Sequence, residues 1–416
     1  MKELVKPSRI FITAYNCSPG KGSEHSCGWN LIYNISKYVP VNVITDEQFR
    51  ADFDQNNPLL KNIRMIFVKN PLNIKWLNSV EFPVGFYLTY RFWEKEVYKY
   101  LKEQYQLGNI DLINRVTIGS VKEPGYSWKI DVPYIWNEAH VPSHVPYRFF
   151  SLFSIKTKLI FLLLNISRLK ILYIQGRSKN AFKRAFHVFA SNEETKQLFK
   201  KHFNKDCDIC YETGSVEKSL SKINERSPNE PFKIFWAGRI VDFKGLELVI
   251  RAISKLPPSI NYEFTVAGEG NQKEKMMSLA EQLHVKAKFV GQVPYYEMPQ
   301  LFSRSHCYIL ASFKDGMTNA ILESLSNFCP VICLDHLTYG EAIDERVGLK
   351  VKVTNIKQVI EDLALKIQYL YDNEEFRIQL IKNMQLFVKN LSWDENARKV
   401  IGAYEKALGV KILESA

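Results

Sequence analysis

Short runs of β-branched and aromatic residues alternate along the chain with longer stretches whose apolar residues recur at helical spacing. "RIFITAY" (9–15) reads as a buried strand, "EHSCGWNLIYNISKY" (24–38) as a helix and "VNVIT" (41–45) as a strand. "IDLINRV" (110–116), "VPYIWNEA" (132–139) and "FHVFAS" (186–191) follow as further strands. The alternation is that of a parallel sheet with crossover helices. The polar stretch "KSLSKINERSPNEPF" (218–232) holds two prolines and no apolar period, which predicts a linker. The alternation then restarts. "KIFWAG" (233–238), "YEFTVAG" (262–268), "AKFVG" (287–291), "CYILAS" (307–312) and "PVICLD" (330–335) read as strands. "LELVIRAISKL" (246–256) and "EKMMSLAEQLHV" (274–285) read as helices between them. The expected fold is α/β: two Rossmann-like, doubly wound domains, 1–217 and 233–390 with linker 218–232, whose strand ends face a shared cleft.

Length and composition fit this reading. A chain of 416 residues, 46% of them hydrophobic, can fill two cores. The formal net charge of +12 points to an anionic partner. The basic residues form no long run, and no nucleic-acid-binding signature is present, so nucleic acid is not the expected partner. Seven scattered cysteines make no disulfide framework and fit a reducing cytosol. Cys207 and Cys210 form a lone C-x-x-C, read as a strand with two small hydrophobes. The N-terminal "MKELVKPSRIFITAYN" lacks the apolar segment and cleavage site of a signal peptide.

The most apolar run, "LIFLLLNIS", lies between Lys158 and Arg168 and is far short of the roughly 20 residues that span a bilayer. Arg148, Lys156, Lys158, Arg168, Lys170, Arg177, Lys179, Lys183 and Arg184 surround it. Two readings stay open for 148–184. One is a helix lying on an anionic membrane; the other is a core helix with snorkelling lysines.

Three stretches carry candidate chemistry. In "AGRIVDFKGLELVIRAI", Gly238 permits a tight turn at a strand end, Arg239 and Lys244 flank the loop, and Gly245 opens a helix. Two cations at a helix start suit a diphosphate, although a charged surface loop reads the same way. "VAGEG" (266–270) gives G-x-G, but Lys273 stands where a dinucleotide fingerprint needs its third glycine, so a nicotinamide enzyme is not supported. In "SFKDGMTNAILES" (312–324), Gly316 lets the loop turn and Thr318 or Asn319 can cap the helix. Ala320, Ile321, Leu322, Leu325 and Phe328 form its apolar side. The amides of Met317, Thr318 and Asn319 could meet a phosphate, while Asp315 and Glu323 suit sugar hydroxyls. The triplets Asp52/Asp54 and Asp206/Asp208 lie outside any plausible metal site, and no metal is expected.

Together these motifs resemble glycosyltransferase family 4, of GT-B fold. Gly238-Arg239 leading to Lys244-Gly245, Val266 to Gly270, Phe289-Val290-Gly291-Gln292-Val293 leading to Met298, and Asp315-Gly316 leading to Glu323 follow the family's order and spacing. "LSWDENARKVIGAYEKAL" (391–408) resembles its closing helix, which implies that 391–416 returns to the N-terminal domain. "YNCSPGKGSEHSCGWN" resembles the G-S-E start of a bacterial subgroup linked to surface polysaccharide assembly, as do "NRVTIGS" and "VPYIWNEA". Two departures stand out. The subgroup's G-P-x-G-G-G is here "N-E-A-H-V-P", and the family's first carboxylate, Glu, is Asp315.

The resemblance implies a cytoplasmic enzyme that moves a sugar from a nucleotide-diphosphate donor to a hydroxyl acceptor, with retention and without metal or other cofactor. The acceptor it implies is a lipid-linked glycan at the inner membrane face, in capsule, O-antigen or exopolysaccharide synthesis. Arg239 and Lys244 match the pair that holds the diphosphate, Glu323 the carboxylate at the ribose, and Asp315 the one at the donor sugar. Gly238, Gly291, Gly316, Met317, Thr318 and Asn319 complete the donor side. Gly20, Gly22, Ser23 and Glu24 match a loop at the N-terminal face of the cleft, and His140 a histidine near the sugar. A non-catalytic GT-B partner subunit and a sugar-nucleotide epimerase of the same fold are the alternatives.

Overall fold

The computed structural model describes residues 9–19, 24–54, 57–72, 83–141, 144–171, 176–216, 223–227, 229–314, 316 and 318–414. In chain order the first half runs β1 (Ile10–Ala14), α1 (Glu24–Ser36), β2 (Val41–Asp46), β3 (Ile63–Val68), α2 (Pro83–Gln106), β4 (Leu112–Val116), β5 (Tyr134–Ala139), α3 (Ile155–Ile171), α4 (Arg177–Arg184), β6 (His187–Ala190), α5 (Glu193–Phe203) and β7 (Asp208–Ile209). The second half begins β8 (Phe232–Ala237), α6 (Leu246–Ile253), β9 (Tyr262–Ala267), α7 (Lys273–Gln282), β10 (Ala287–Gly291), α8 (Met298–Arg304) and β11 (Cys307–Leu310). It continues α9 (Asn319–Ser326), β12 (Val331–Asp335), α10 (Leu337–Ala342), β13 (Gly348–Lys352), α11 (Ile356–Asp372), α12 (Glu374–Asn390) and α13 (Trp393–Leu408). Two parallel sheets result, β3-β2-β1-β4-β5-β6-β7 and β10-β9-β8-β11-β12-β13.

The chain divides into two compact units. The first comprises 1–142, 169–214 and 393–416; the second comprises 143–168 and 215–392. The sequence places 143–168 with the first domain, whereas the fold gathers it into the second. Residues 218–222 and 228 of the expected linker lie outside the described residues.

Covering helices explain why the strands read as unbroken apolar runs. In the first unit Phe11, Tyr15 and Ile113 pack on one face with Trp93, Val97 and Leu101 of α2 and Phe182 of α4. Ile12, Ala14 and Leu112 pack on the other with Leu31, Ile32 and Ile35 of α1 and Val400, Ile401 and Tyr404 of α13. This is the period-two alternation of a strand buried on both sides. The C-terminal helix is part of that core, and Asn114 donates a hydrogen bond to its Tyr404 hydroxyl at 2.7 Å. Cys207 and Cys210 flank the edge strand β7, one in each core face. Burial pushes both thiols up to about 12. Among the described residues no helix is long and apolar enough to cross a membrane.

In the second unit His306 ties the start of β11 to β8. Its N–H donates to the Lys233 carbonyl at 2.8 Å, and its Nδ1 accepts from the Lys233 N–H at 3.0 Å. That acceptor role requires a neutral ring. Burial is the main cause that pushes the His306 pKa down to about 4, with Arg377 adding to it and Glu230 opposing. In the unfolded chain the ring takes up its proton near pH 6.5. The unfolded state therefore binds more protons between the two values, so stability is complete above about pH 6.5 and falls as pH drops toward 4, by on the order of 2–3 kcal/mol. Urea midpoints measured at pH 7, 5.5 and 4 should decline accordingly. His306→Asn, which keeps an acceptor but does not titrate, should flatten that decline; an equal decline in both proteins would refute the assignment.

Candidate active site

Strand order reverses at one point in each sheet, and ligands of open α/β sheets bind there, beyond the carboxyl ends of the strands. In the second unit that point lies between β8 and β11, which are neighbours while their sequence successors run outward. Loop 238–245 follows β8 and loop 311–318 follows β11, so the two motifs with candidate phosphate chemistry flank the switch point.

Backbone contacts lock these loops together. Phe313 donates its N–H to the Phe243 carbonyl at 2.9 Å, and the Ser312 hydroxyl donates to the same oxygen at 3.4 Å. The Tyr339 hydroxyl donates to the Ser312 carbonyl. Gly245 has φ +72°, and a Cβ there would overlap the Ala311 carbonyl. The "VAGEG" turn fits against the other side of loop 238–245. Gly238 donates to Ala267 at 3.0 Å and Ile240 to Glu269 at 2.8 Å, and Gly268 donates to Gly291 at 2.7 Å. Gly268 has φ +141°, and a Cβ on it would overlap the Gly238 carbonyl. These glycines therefore serve close backbone approach, not a dinucleotide fingerprint.

Side chains then take defined places. Arg239 is exposed, and among the described residues no carboxylate pairs with it. Lys244 closes a short 3-10 turn, Asp242–Lys244, and is half-buried. Thr318 caps α9, its hydroxyl accepting from the Ile321 N–H at 3.3 Å. Ile321, Leu322 and Leu325 are buried as expected, Ala320 is half-buried, and Phe328 lies past the helix end with φ +58°. Asn319 opens α9, and Glu323 lies half-buried on the next turn. Gly316 is described between Asp315 and Met317, which lie outside the described residues. Gly291 ends the edge strand β10, two strands from the switch point, where its carbonyl holds Gly268.

Segment 143–168 braces the same loops. Asp242 accepts from the Ser154 N–H at 2.9 Å and from the Thr157 hydroxyl at 3.2 Å, a carboxylate at the start of α3. Phe313 packs on Phe149 at 4.6 Å and Phe153 at 5.7 Å between ring centroids, and Phe243 packs on Phe161 at 5.7 Å. The Lys314 ammonium lies over the Phe161 and Phe243 rings at 5.8 and 5.6 Å. Sequence reasoning missed Asp242, Lys314 and His336. The signal for His336 was a histidine directly after strand "PVICLD". Its Nε2 is buried without a hydrogen-bond partner among the described residues, and burial pushes its pKa down to about 4.

In the first unit the switch point lies between β1 and β4. His140 follows β5 and is held against the loop after β4. Its N–H donates to the Gly119 carbonyl at 3.0 Å, and Val121 donates to the His140 carbonyl at 3.3 Å. A Cβ on Gly119 would overlap the Glu138 carbonyl, and Thr117, Ile118 and Glu138 all have positive φ. The ring's Nδ1 is 3.7 Å from Glu212 Oε1, with both side chains about one-third exposed. Glu24 begins α1. Gly20, Gly22 and Ser23 lie outside the described residues.

A buried network fixes this loop from behind. Arg115, 1% exposed, donates to the Ile118 carbonyl and, at 2.8 Å, to the Glu123 carbonyl, and lies over the Trp136 ring at 5.0 Å. Glu94 accepts from the Tyr90 hydroxyl at 2.8 Å and the Tyr126 N–H at 3.0 Å, and burial raises its pKa. Glu123 takes Arg91 at 2.6 Å and Arg177. Of the D-x-D carboxylates, Asp206 pairs with Lys200 at 2.7 Å and Asp208 with His187 at 3.2 Å. Among the described residues no group of three or more His, Cys, Asp or Glu could hold a metal.

Residues 217–406 match the family model described as Glycosyl transferases group 1. The solved structure of Anabaena HepE in complex with UDP superposes with a TM-score of 0.64 at 15% identity, over 96% of this chain and all of that one. The fold is GT-B, and residues 217–406 are similar to the group 1 glycosyltransferases. An uncharacterized glycosyltransferase of Methanocaldococcus jannaschii is 25% identical over 253 residues, 58% of this chain and 63% of that protein. The N-acetylgalactosamine-N,N'-diacetylbacillosaminyl-diphospho-undecaprenol 4-alpha-N-acetylgalactosaminyltransferase of Campylobacter jejuni is 28% identical over 178 residues, 40% of this chain and 47% of that enzyme. The match thus spans less than two thirds of these relatives' length.

The GT-B loops rest on glycine contacts that tolerate no side chain. Gly268→Ala should lower stability by more than about 2 kcal/mol, since strain at a positive φ adds to overlap with backbone. Gly108 also has positive φ but has nothing within 4 Å of its Cβ position, so Gly108→Ala should cost only about 1 kcal/mol. Thermal or urea unfolding of both variants checks the contrast; equal losses would contradict it.

Proposed function

We propose that this protein is a retaining glycosyltransferase of the family 4 type, acting without metal. It moves a sugar from a nucleotide-diphosphate donor to a hydroxyl of a lipid-linked glycan. The observation that carries this is the convergence of loops 238–245 and 311–318 at one switch point, with Arg239 and Lys244 on one and the α9 start on the other. A helix start beside two cations suits a diphosphate. The relative from C. jejuni is named for a diphospho-undecaprenol acceptor, and the HepE structure holds UDP. Both support the substrate classes. The setting that follows is the inner face of a bacterial cell membrane during surface polysaccharide assembly.

In the reaction the bond between sugar C1 and the diphosphate oxygen breaks, and the acceptor oxygen bonds to C1 on the same face. The acceptor proton passes to a donor phosphate oxygen, and the nucleoside diphosphate leaves. Arg239 and Lys244 stabilise the negative charge that grows on the leaving group. Arg239 can offer a two-pronged contact and Lys244 a point charge. Glu323 takes the ribose hydroxyls and Asp315 the donor sugar, with Gly316, Met317, Thr318 and Asn319 at the β-phosphate. His140 meets the sugar, and Glu24 with the loop of Gly20, Gly22 and Ser23 reaches donor or acceptor.

A thermal-shift series with UDP, GDP, ADP and their sugar conjugates should raise Tm for one base and further for one conjugate. Arg239→Ala and Lys244→Ala should each reduce turnover of that donor at least about 100-fold, roughly 3 kcal/mol. Near-normal turnover in both variants would sink the proposal. Asp is shorter than Glu by one methylene, about 1.5 Å of reach. Asp315→Glu should therefore shift the ranking within a donor panel, and an unchanged ranking would mean that this difference is neutral.

A further inference from the structure

The helix α3 packs one face within the second unit and exposes an apolar face opposite it. Thr157, Phe161 and Asn165 recur at helical spacing on the face turned to the second unit. Phe161 is buried, and Asn165 pairs with both backbone groups of Val145, accepting at 3.0 Å and donating at 2.9 Å. The opposite face carries Ile155, Leu159, Leu163 and Ile166, 76%, 57%, 65% and 42% exposed, with Leu162 beside them. A helix covering a water-facing surface would place polar residues there. Charge supplies the second observation. From Ala139 to Asn192 there is no Asp or Glu, while Arg148, Lys156, Lys158, Arg168, Lys170, Arg177, Lys179, Lys183 and Arg184 fall within that stretch; of these, Arg177 pairs with Glu123 and Arg184 with Asp131. Arg148 and Lys156, just before and within α3, are exposed.

We propose that the outer face of α3 docks on an anionic lipid bilayer, its leucines and isoleucines set into the headgroup boundary and Arg148 and Lys156 on lipid phosphates. This deepens the proposed function, whose acceptor is anchored in such a bilayer. The helix start is tied through Asp242 to the loop of Arg239 and Lys244, so docking fixes the donor loop of the second unit at the lipid surface. Neither of the other readings of an exposed apolar stripe, a core helix or a contact between copies, accounts for 54 residues without an acid.

The test uses the full chain and vesicles alone, with no donor or acceptor, so it is read apart from transferase activity. Flotation with vesicles of phosphatidylglycerol and phosphatidylcholine should bring the protein up at low salt, and pure phosphatidylcholine should not. The double variant Leu159→Ser, Leu163→Ser alters only exposed positions and should keep its circular dichroism and Tm while binding the anionic vesicles at least tenfold more weakly. Lys156→Gln with Arg148→Gln should weaken binding and reduce its salt dependence. Equal binding by wild type and the leucine variant would overturn the proposal. So would a concentration-dependent dimer in lipid-free buffer that the leucine variant abolishes, without any vesicle binding.

Discussion

The second unit depends on backbone touching backbone across four neighbouring strand ends. Gly268 leans on Gly291, the 238–240 segment on 267–269, and Phe313 on Phe243. A Cβ on Gly268 would overlap the Gly238 carbonyl and one on Gly245 the Ala311 carbonyl, and both glycines hold positive φ. The loop between them is consequently short of freedom. Asp242 accepts hydrogen bonds at the start of α3, Phe243 joins an aromatic cluster, Lys244 is half-buried at the end of a turn, and Arg239 is exposed. In the proposed reaction, a loop ordered this way limits the entropy lost when Arg239 and Lys244 meet the diphosphate, which is what preorganised stabilisation requires.

The first unit meets the same demand by another route. The loop after β4 has positive φ at Thr117 and Ile118, neither of them glycine, and such strain persists only where surroundings over-determine it. Here the surroundings are ionic. Arg115 sits behind the loop and grips two of its carbonyls, while Glu94 and Glu123 hold the return toward Trp128. A buried network of this kind is weak support for stability, because desolvation opposes it. Its stronger effect is to fix one arrangement: removing any one partner strands another charge in a dry interior. His140 is held by backbone hydrogen bonds to this stiffened loop, so its position follows from residues far from it in sequence.

What was legible in the sequence follows the same division. Strands such as 10–14 and 307–310 announce themselves because both faces are covered and the apolar run is continuous, and the four glycine motifs are legible as a set through their resemblance to a family's order and spacing. By its residues alone "VAGEG" was legible as an incomplete nucleotide fingerprint, and otherwise as one motif of the family resemblance. That it packs against Gly238 is a tertiary fact with no local signature. Asp242 was invisible for a similar reason, since its partners Ser154 and Thr157 lie more than 80 residues away. Lys314 follows β11, at the switch point, and His336 follows its neighbour β12; a polar residue after a strand is common and becomes specific only through such placement.

The placement of 143–168 was misread because an apolar stretch inside the first half of the chain has no sequence mark saying which core it joins. Its membership has a consequence for how the molecule is built. The chain passes between units after 142, 168, 214 and 392, so neither unit is one continuous stretch. Without α13 the first unit would expose Ile12, Leu31 and Ile35, which pack against Val400, Ile401 and Tyr404. Without 143–168 the second would lose the phenylalanines that cover Phe313 and the helix start that engages Asp242. Each half of the chain thus supplies part of a core in the other, and the expected linker, 218–232, falls within the second unit. The charge follows the same exchange: nine of the 56 Lys and Arg fall in the acid-free stretch that contains the exchanged segment, which leaves the rest of the chain close to balanced. The net charge of +12 is therefore mainly a local property of that crossing stretch, and an anionic partner is to be sought there before anywhere else on the surface.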